Sequence, residues 1–175
     1  MADAVVIPGR LFGPGAPLLM FTGDVAESRG ARVHRHEWTE KPPDGLDDYE
    51  PWVRAQLLPL PAAAPLLIGK SLGTNAAALA AERDLPAVWL TPLLKHPPVA
   101  SALSRATAPF LLIGGGADRW WNGAVARKLT PHVFEVPEAD HGMYVPGPVT
   151  ATIAVLAQVV EAMAEFLDEI GWPRR

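Results

Sequence analysis

The chain of 175 residues contains no cysteine. That excludes a disulfide framework and a thiolate-held metal. It also lacks a basic block apart from the terminal Arg174-Arg175, and its net charge is −4. A nucleic-acid partner is therefore not expected, because phosphate binding rests on clustered lysine and arginine. No segment reaches membrane-spanning length without glycine, proline or charge, so no membrane partner is expected. Met1-Ala2-Asp3 is acidic, and the apolar run after it stops at Pro8-Gly9. A signal peptide would begin with positive charge and continue apolar for longer. These absences predict a soluble, cytoplasmic protein. There is no low-complexity stretch or linker either: the 19 prolines are scattered among turn positions.

What is present suits one compact domain over residues 1–175. Hydrophobic residues make up 49% of the chain, enough for a sizeable core. Short apolar runs recur at Ala4-Val5-Val6-Ile7, Leu66-Leu67-Ile68, Ala87-Val88-Trp89-Leu90, Phe110-Leu111-Leu112-Ile113 and Val133-Phe134-Glu135-Val136. Such runs, bounded by glycine and proline, read as strands buried on both faces of a parallel sheet. Residues 31–38 alternate apolar and polar and read as a half-exposed strand. Between these runs the pattern predicts helices over 16–29, 46–58, the stretch after Ser71 to about 83, 99–105, 123–129 and 149–170. In the last helix Ile153, Leu156, Val159, Val160, Met163, Phe166, Leu167 and Ile170 are expected to form the buried stripe. Alternating strands and helices imply a three-layer α/β/α sandwich around a mostly parallel sheet of about six strands. In such sheets the site lies beyond the carboxyl ends of the strands.

One stretch organises the rest. Pro65 to Asn75 runs from an apolar strand through Gly69-Lys70-Ser71-Leu72-Gly73 into the alanine-rich run 76–81. A serine on such a strand-to-helix turn is held in a strained backbone conformation. Its flanking glycines are required where strand and helix approach with no room for a Cβ. Two other groups fall at strand ends, Asp118 after Gly114-Gly115-Gly116-Ala117 and His141 after the last strand. A serine hydroxyl needs a base to take its proton, and the base needs an acid to hold its tautomer.

These motifs, with Ala139-Asp140-His141-Gly142, resemble the α/β-hydrolase superfamily over essentially the whole chain. The likeness is to its small, lidless serine hydrolases, which lack the first two strands of the larger fold and a cap domain. The resemblance implies a carboxylesterase-like enzyme with Ser71 as nucleophile, His141 as general base and later acid, and Asp118 as the orienting carboxylate. It implies an oxyanion hole made by the main-chain N–H groups of Leu72 and Arg10, although Pro8 stands where the family often has histidine. No cofactor is expected. The expected ligand is a small acyl ester bound by Leu11, Phe12, Leu93, Trp120 and Met143, in an open site, since Thr91 to Pro98 is short where a cap would be inserted; core and loop packing is the alternative role for these apolar groups.

Other assignments compete. His34 and His36 read as edge or surface residues, and His96 and His132 as solvated. His34 and His36 stand two apart but have no third ligand at metal spacing, so no metal site is expected. Asp140 adjoins His141 and is poorly placed to turn onto its ring. Lys70 reads as a solvated side chain. Two functional alternatives stand: a non-catalytic binding protein with a misaligned triad, or thioesterase, amidase or perhydrolase chemistry on the same three residues.

Overall fold

The structure is a computed structural model, and residues 1–173 are described; the Arg174-Arg175 pair lies outside them. Six strands form one sheet: β1 (Asp3–Ile7), β2 (Arg32–Arg35), β3 (Leu66–Lys70), β4 (Ala87–Leu90), β5 (Phe110–Gly115) and β6 (Val133–Val136). All pairings are parallel, in the order β2-β1-β3-β4-β5-β6. The order reverses between β1 and β3, and this switch point is where a crevice opens in sheets of this kind.

Helices cover both faces. Alternate strand residues explain why. Val5, Ile7, Leu67, Trp89 and Leu112 face one way and pack on α2 (Tyr49–Leu57), α3 (Ala77–Arg83), α4 (Pro97–Ser104) and α5 (Gly123–Leu129). Ala4, Val6, Ile68, Val88, Leu90 and Ile113 face the other way and pack on α1 (Pro17–Ser28) and α6 (Val149–Glu169). The fully buried centre strands are apolar because neither face meets water, except for Lys70 at the end of β3.

The strand ends are in register. Ile7 pairs with Gly69, Lys70 with Leu90, Leu90 with Ile113 and Gly115 with Val136. The segments that follow β1, β3, β4, β5 and β6 therefore leave the sheet at one rim.

Two expectations need correction. Most of the expected α6 stripe faces the core, with Leu156, Val160 and Ile170 partly buried against it, but Ile153 does not. The buried positions of α6 are Val155, Val159, Met163, Phe166 and Leu167, while Ile153 is 58% exposed. Ile153 lies about 200° around the helix from Val155, on the opposite side. The helix after Ser71 starts as a 3-10 segment over Ser71–Ala76 before α3 begins. Thr74 Oγ1 donates to the Ser71 carbonyl at 2.6 Å, and Asn75 Nδ2 donates to the Leu72 carbonyl at 2.8 Å. These side chains take up carbonyls three residues back and favour the tighter turn.

Candidate active site

Ser71 follows β3 directly and has φ +51°, the left-handed region that a residue with a Cβ enters at a cost of roughly 1–2 kcal/mol. The turn is tight. A Cβ on Gly69 would stand 2.7 Å from the Trp89 ring, and one on Gly73 would stand 2.6 Å from the Ile7 carbonyl oxygen. Both glycines of the pentapeptide are thus required by close approach.

Three side chains meet at this turn. Ser71 Oγ is 2.8 Å from His141 Nε2, and His141 Nδ1 is 2.7 Å from Asp118 Oδ2. The arrangement needs one tautomer, with Nδ1–H donating to the carboxylate and Nε2 accepting from the serine hydroxyl. Asp118 is rigidly held: its side chain is 0% exposed, and its Oδ1 accepts the Trp120 main-chain N–H at 2.9 Å. The His141 ring is about one third exposed and so reachable from the cleft. Asp140 plays another part. Its Oδ1 accepts the main-chain N–H groups of Gly142, at 2.7 Å, and Tyr144, at 3.0 Å, folding the loop that presents His141.

A cleft of about 450 Å³ opens over Ser71. Leu11, Phe12, Leu93 and Trp120 line it, together with Leu46, Tyr49 and Arg119. Gly9, Arg10 and Leu72 line it as well. Leu72 is the second residue of the 3-10 segment, where a main-chain N–H has no acceptor within the helix. The Arg10 main-chain N–H likewise donates to no acceptor among the described residues.

The loop after β1 is fixed from outside. The Arg10 guanidinium donates to Tyr49 Oη at 2.7 Å, to the Pro43 carbonyl and to Asp44, and the Trp38 indole N–H donates to the Gly9 carbonyl at 3.0 Å. The sequence offers no local signal for these supports, which join residues about thirty to forty apart.

Met143 is not among the cleft's lining residues. It is 3% exposed, with φ +64°, and packs in the core beneath α1 and α6. The left-handed turn sends its side chain inward, away from the cleft, to a smaller neighbouring groove beside Phe12 and Tyr144.

His96 also departs from expectation. It is buried, and burial pushes its imidazole below the ordinary histidine value. His34 lies on the edge strand β2, 2.7 Å from Asp3, and His132 lies 3.4 Å from Glu169. His36 stacks edge-on against Trp38, and burial lowers its value too.

The largest correction concerns Lys70, which is 1% exposed. Burial lowers its ammonium to about 8, against the pull of Asp118 and Asp140 in the other direction. The sign of the consequence can be worked out. In the unfolded chain the amine keeps its ordinary value of 10.5. Between about 8 and 10.5 the unfolded state binds more protons, so this group adds stability as pH rises through that window. The gain is on the order of 3 kcal/mol. Urea midpoints of the wild type and Lys70→Met, compared at about pH 7 and about pH 10, should show the wild type gaining on the variant. An unchanged difference would contradict it.

No family model matches the sequence, and no curated protein matches it. Solved structures do match. Est1E from Butyrivibrio proteoclasticus, with ferulic acid bound, superposes with a TM-score of 0.69 at 16% identity, over 97% of this chain and 89% of that one. An α/β serine hydrolase without a lid, from Xanthomonas campestris, gives 0.64 at 16% identity, over 96% and 81%. The chain has the α/β-hydrolase fold. The esterase domain of a Rhodothermus marinus protein shares it, with a TM-score of 0.62 at 17% identity over 95% and 86% of the two chains. Within the α/β-hydrolase fold as this chain builds it, β4 and α4 are joined by residues 91–96 alone, with no inserted helix or strand. Fold does not carry chemistry with it, so the reaction has to be argued from the cleft.

Proposed function

We propose that the protein is a serine hydrolase that cleaves small acyl esters through a covalent acyl-enzyme. The observation that carries this is the continuous chain from Ser71 Oγ through both nitrogens of His141 to the buried Asp118. Ser71 Oγ attacks the ester carbonyl as His141 Nε2 takes its proton. The tetrahedral oxyanion sits against the main-chain N–H groups of Leu72 and Arg10. It collapses as the C–O bond to the leaving group breaks, and His141 returns the proton to the departing alkoxide. A water then attacks the acyl-enzyme, His141 takes its proton, and Ser71 is regenerated with release of the acid. Asp118 fixes the ring and stabilises the imidazolium in both halves.

The cleft supports a small acyl group. Its lining is largely apolar, from Leu11, Phe12, Leu93 and Trp120, and it is open to solvent on one side. Est1E holds ferulic acid, an aromatic acid, and the rings of Phe12 and Trp120 would accept a flat group of that kind as readily as a short alkyl one. A panel of p-nitrophenyl esters tests this. Acetate and butyrate should turn over with the highest kcat/KM, and an octanoate ester at least about tenfold less well, since its flexible chain must be ordered in a cleft open on one side, a cost that a flat aromatic acyl group does not carry. No turnover of any ester by the folded protein would contradict the assignment. Faster turnover of thioesters or amides in the same panel would move the activity to those substrates on the same residues.

A further inference from the structure

The acyl-transfer assignment makes no use of Lys70, yet the fold buries this ammonium beside the nucleophile. A lysine so placed costs several kcal/mol of desolvation unless its protons are engaged. A methionine would fill much the same space without that cost. The burial therefore calls for a role.

The contacts supply one. Lys70 Nζ donates to the carbonyl oxygen of His141 at 3.0 Å and to Thr91 Oγ1 at 3.2 Å. It also lies 4.6 Å from the centre of the Phe12 ring, within cation–π range. These three partners come from three segments, the loop after β6, the end of β4 and the loop after β1. Two N–H groups are committed to oxygens, and the ring faces the charge, so little is left for a substrate oxygen. Thr91 is itself held at φ +41° with 0% exposure, which presents its hydroxyl at the strand end.

Resting on the acyl-transfer assignment, we propose that Lys70 is a positioning residue: it braces the main chain of His141 against β4 and the Phe12 loop, and so holds the imidazole on Ser71. The neighbouring residues of one turn then do two jobs. Ser71 presents the hydroxyl, and Lys70 reaches back to anchor the base that deprotonates it. A positional error of an ångström in a catalytic group costs on the order of 10²-fold.

Lys70→Met is the test. It should lower kcat on p-nitrophenyl acetate by roughly 10- to 100-fold while KM stays within about threefold, since no substrate contact is removed. Thr91→Val, which removes only one arm of the brace, should lower kcat by no more than about fivefold. A second readout does not depend on turnover. The His141 Nδ1 proton, donated to a buried carboxylate, gives a low-field proton resonance, which should broaden or shift in Lys70→Met. If the wild type hydrolyses no ester but this resonance still moves, the brace stands and the hydrolase assignment falls. A Lys70→Met protein with wild-type kcat and an unmoved resonance overturns the brace. Should Lys70→Met not fold, the wild type decides: the Lys70 ammonium protons should exchange slowly with water in nitrogen-15 spectra, and rapid, solvent-averaged exchange overturns the proposal.

Discussion

Replacing Ser71 by alanine is expected to lower ester turnover by on the order of 10⁴-fold or more while leaving the protein folded. Alanine keeps the Cβ, so the backbone strain at φ +51° is unchanged. Only the hydroxyl that His141 accepts from, at 2.8 Å, is lost. What survives is catalysis by the oxyanion donors and by binding alone. Stopped assays at high enzyme concentration read the difference, and circular dichroism checks the fold. A companion variant separates strain from chemistry. Ser71→Gly is equally inactive but adopts the left-handed conformation freely, and it should raise stability by about 1 kcal/mol in urea titrations. An alanine variant with wild-type turnover would mean that another group attacks the ester.

Asp118→Asn should lower kcat by about 10⁴-fold with little loss of substrate binding. The substitution is nearly isosteric in a site where the side chain is 0% exposed. Its effect is on the tautomer. The carboxylate accepts Nδ1–H at 2.7 Å through one oxygen and the Trp120 N–H at 2.9 Å through the other. The Trp120 N–H requires an acceptor, so an asparagine turns its carbonyl oxygen there and its NH₂ toward His141. Nδ1 must then accept, the ring proton moves to Nε2, and Nε2 no longer accepts from Ser71. Steady-state kinetics with the p-nitrophenyl acetate and butyrate esters and a phosphonate probe should show the same loss. A drop of less than about tenfold would mean that Asp118 does not hold the ring.

The residues of the candidate site were legible where local geometry dictates them. Gly69 and Gly73 announce a turn that admits no Cβ, and a serine between them is set apart by its neighbours. Asp118 and His141 could be picked out because each follows a short apolar strand, and parallel strands deliver their ends to one rim. β4, α5 and β6 span the residues that apolar runs and glycine boundaries predict.

What escaped the sequence depends on contacts between distant segments. A lysine beside a nucleophile looks solvated until the loops carrying Phe12 and His141 close over it. Met143 follows His141 closely, but a left-handed φ turns it into the core, and nothing in the side chain itself favours that conformation. His96 precedes two prolines and reads as loop, yet it starts α4 against a buried surface. On α6 the buried Val159, Met163, Phe166 and Leu167 were legible, but apolar residues cover more than one face, so only the sheet beneath selects Val155 over Ile153.

The central claim is that Ser71 is a nucleophile made reactive by His141. A fluorophosphonate probe followed by peptide mass mapping tests it most directly. The native protein should acquire one phosphonyl group, on Ser71, and Ser71→Ala should acquire none. A folded native protein that stays unmodified, or a label that persists in the alanine variant, would contradict the account.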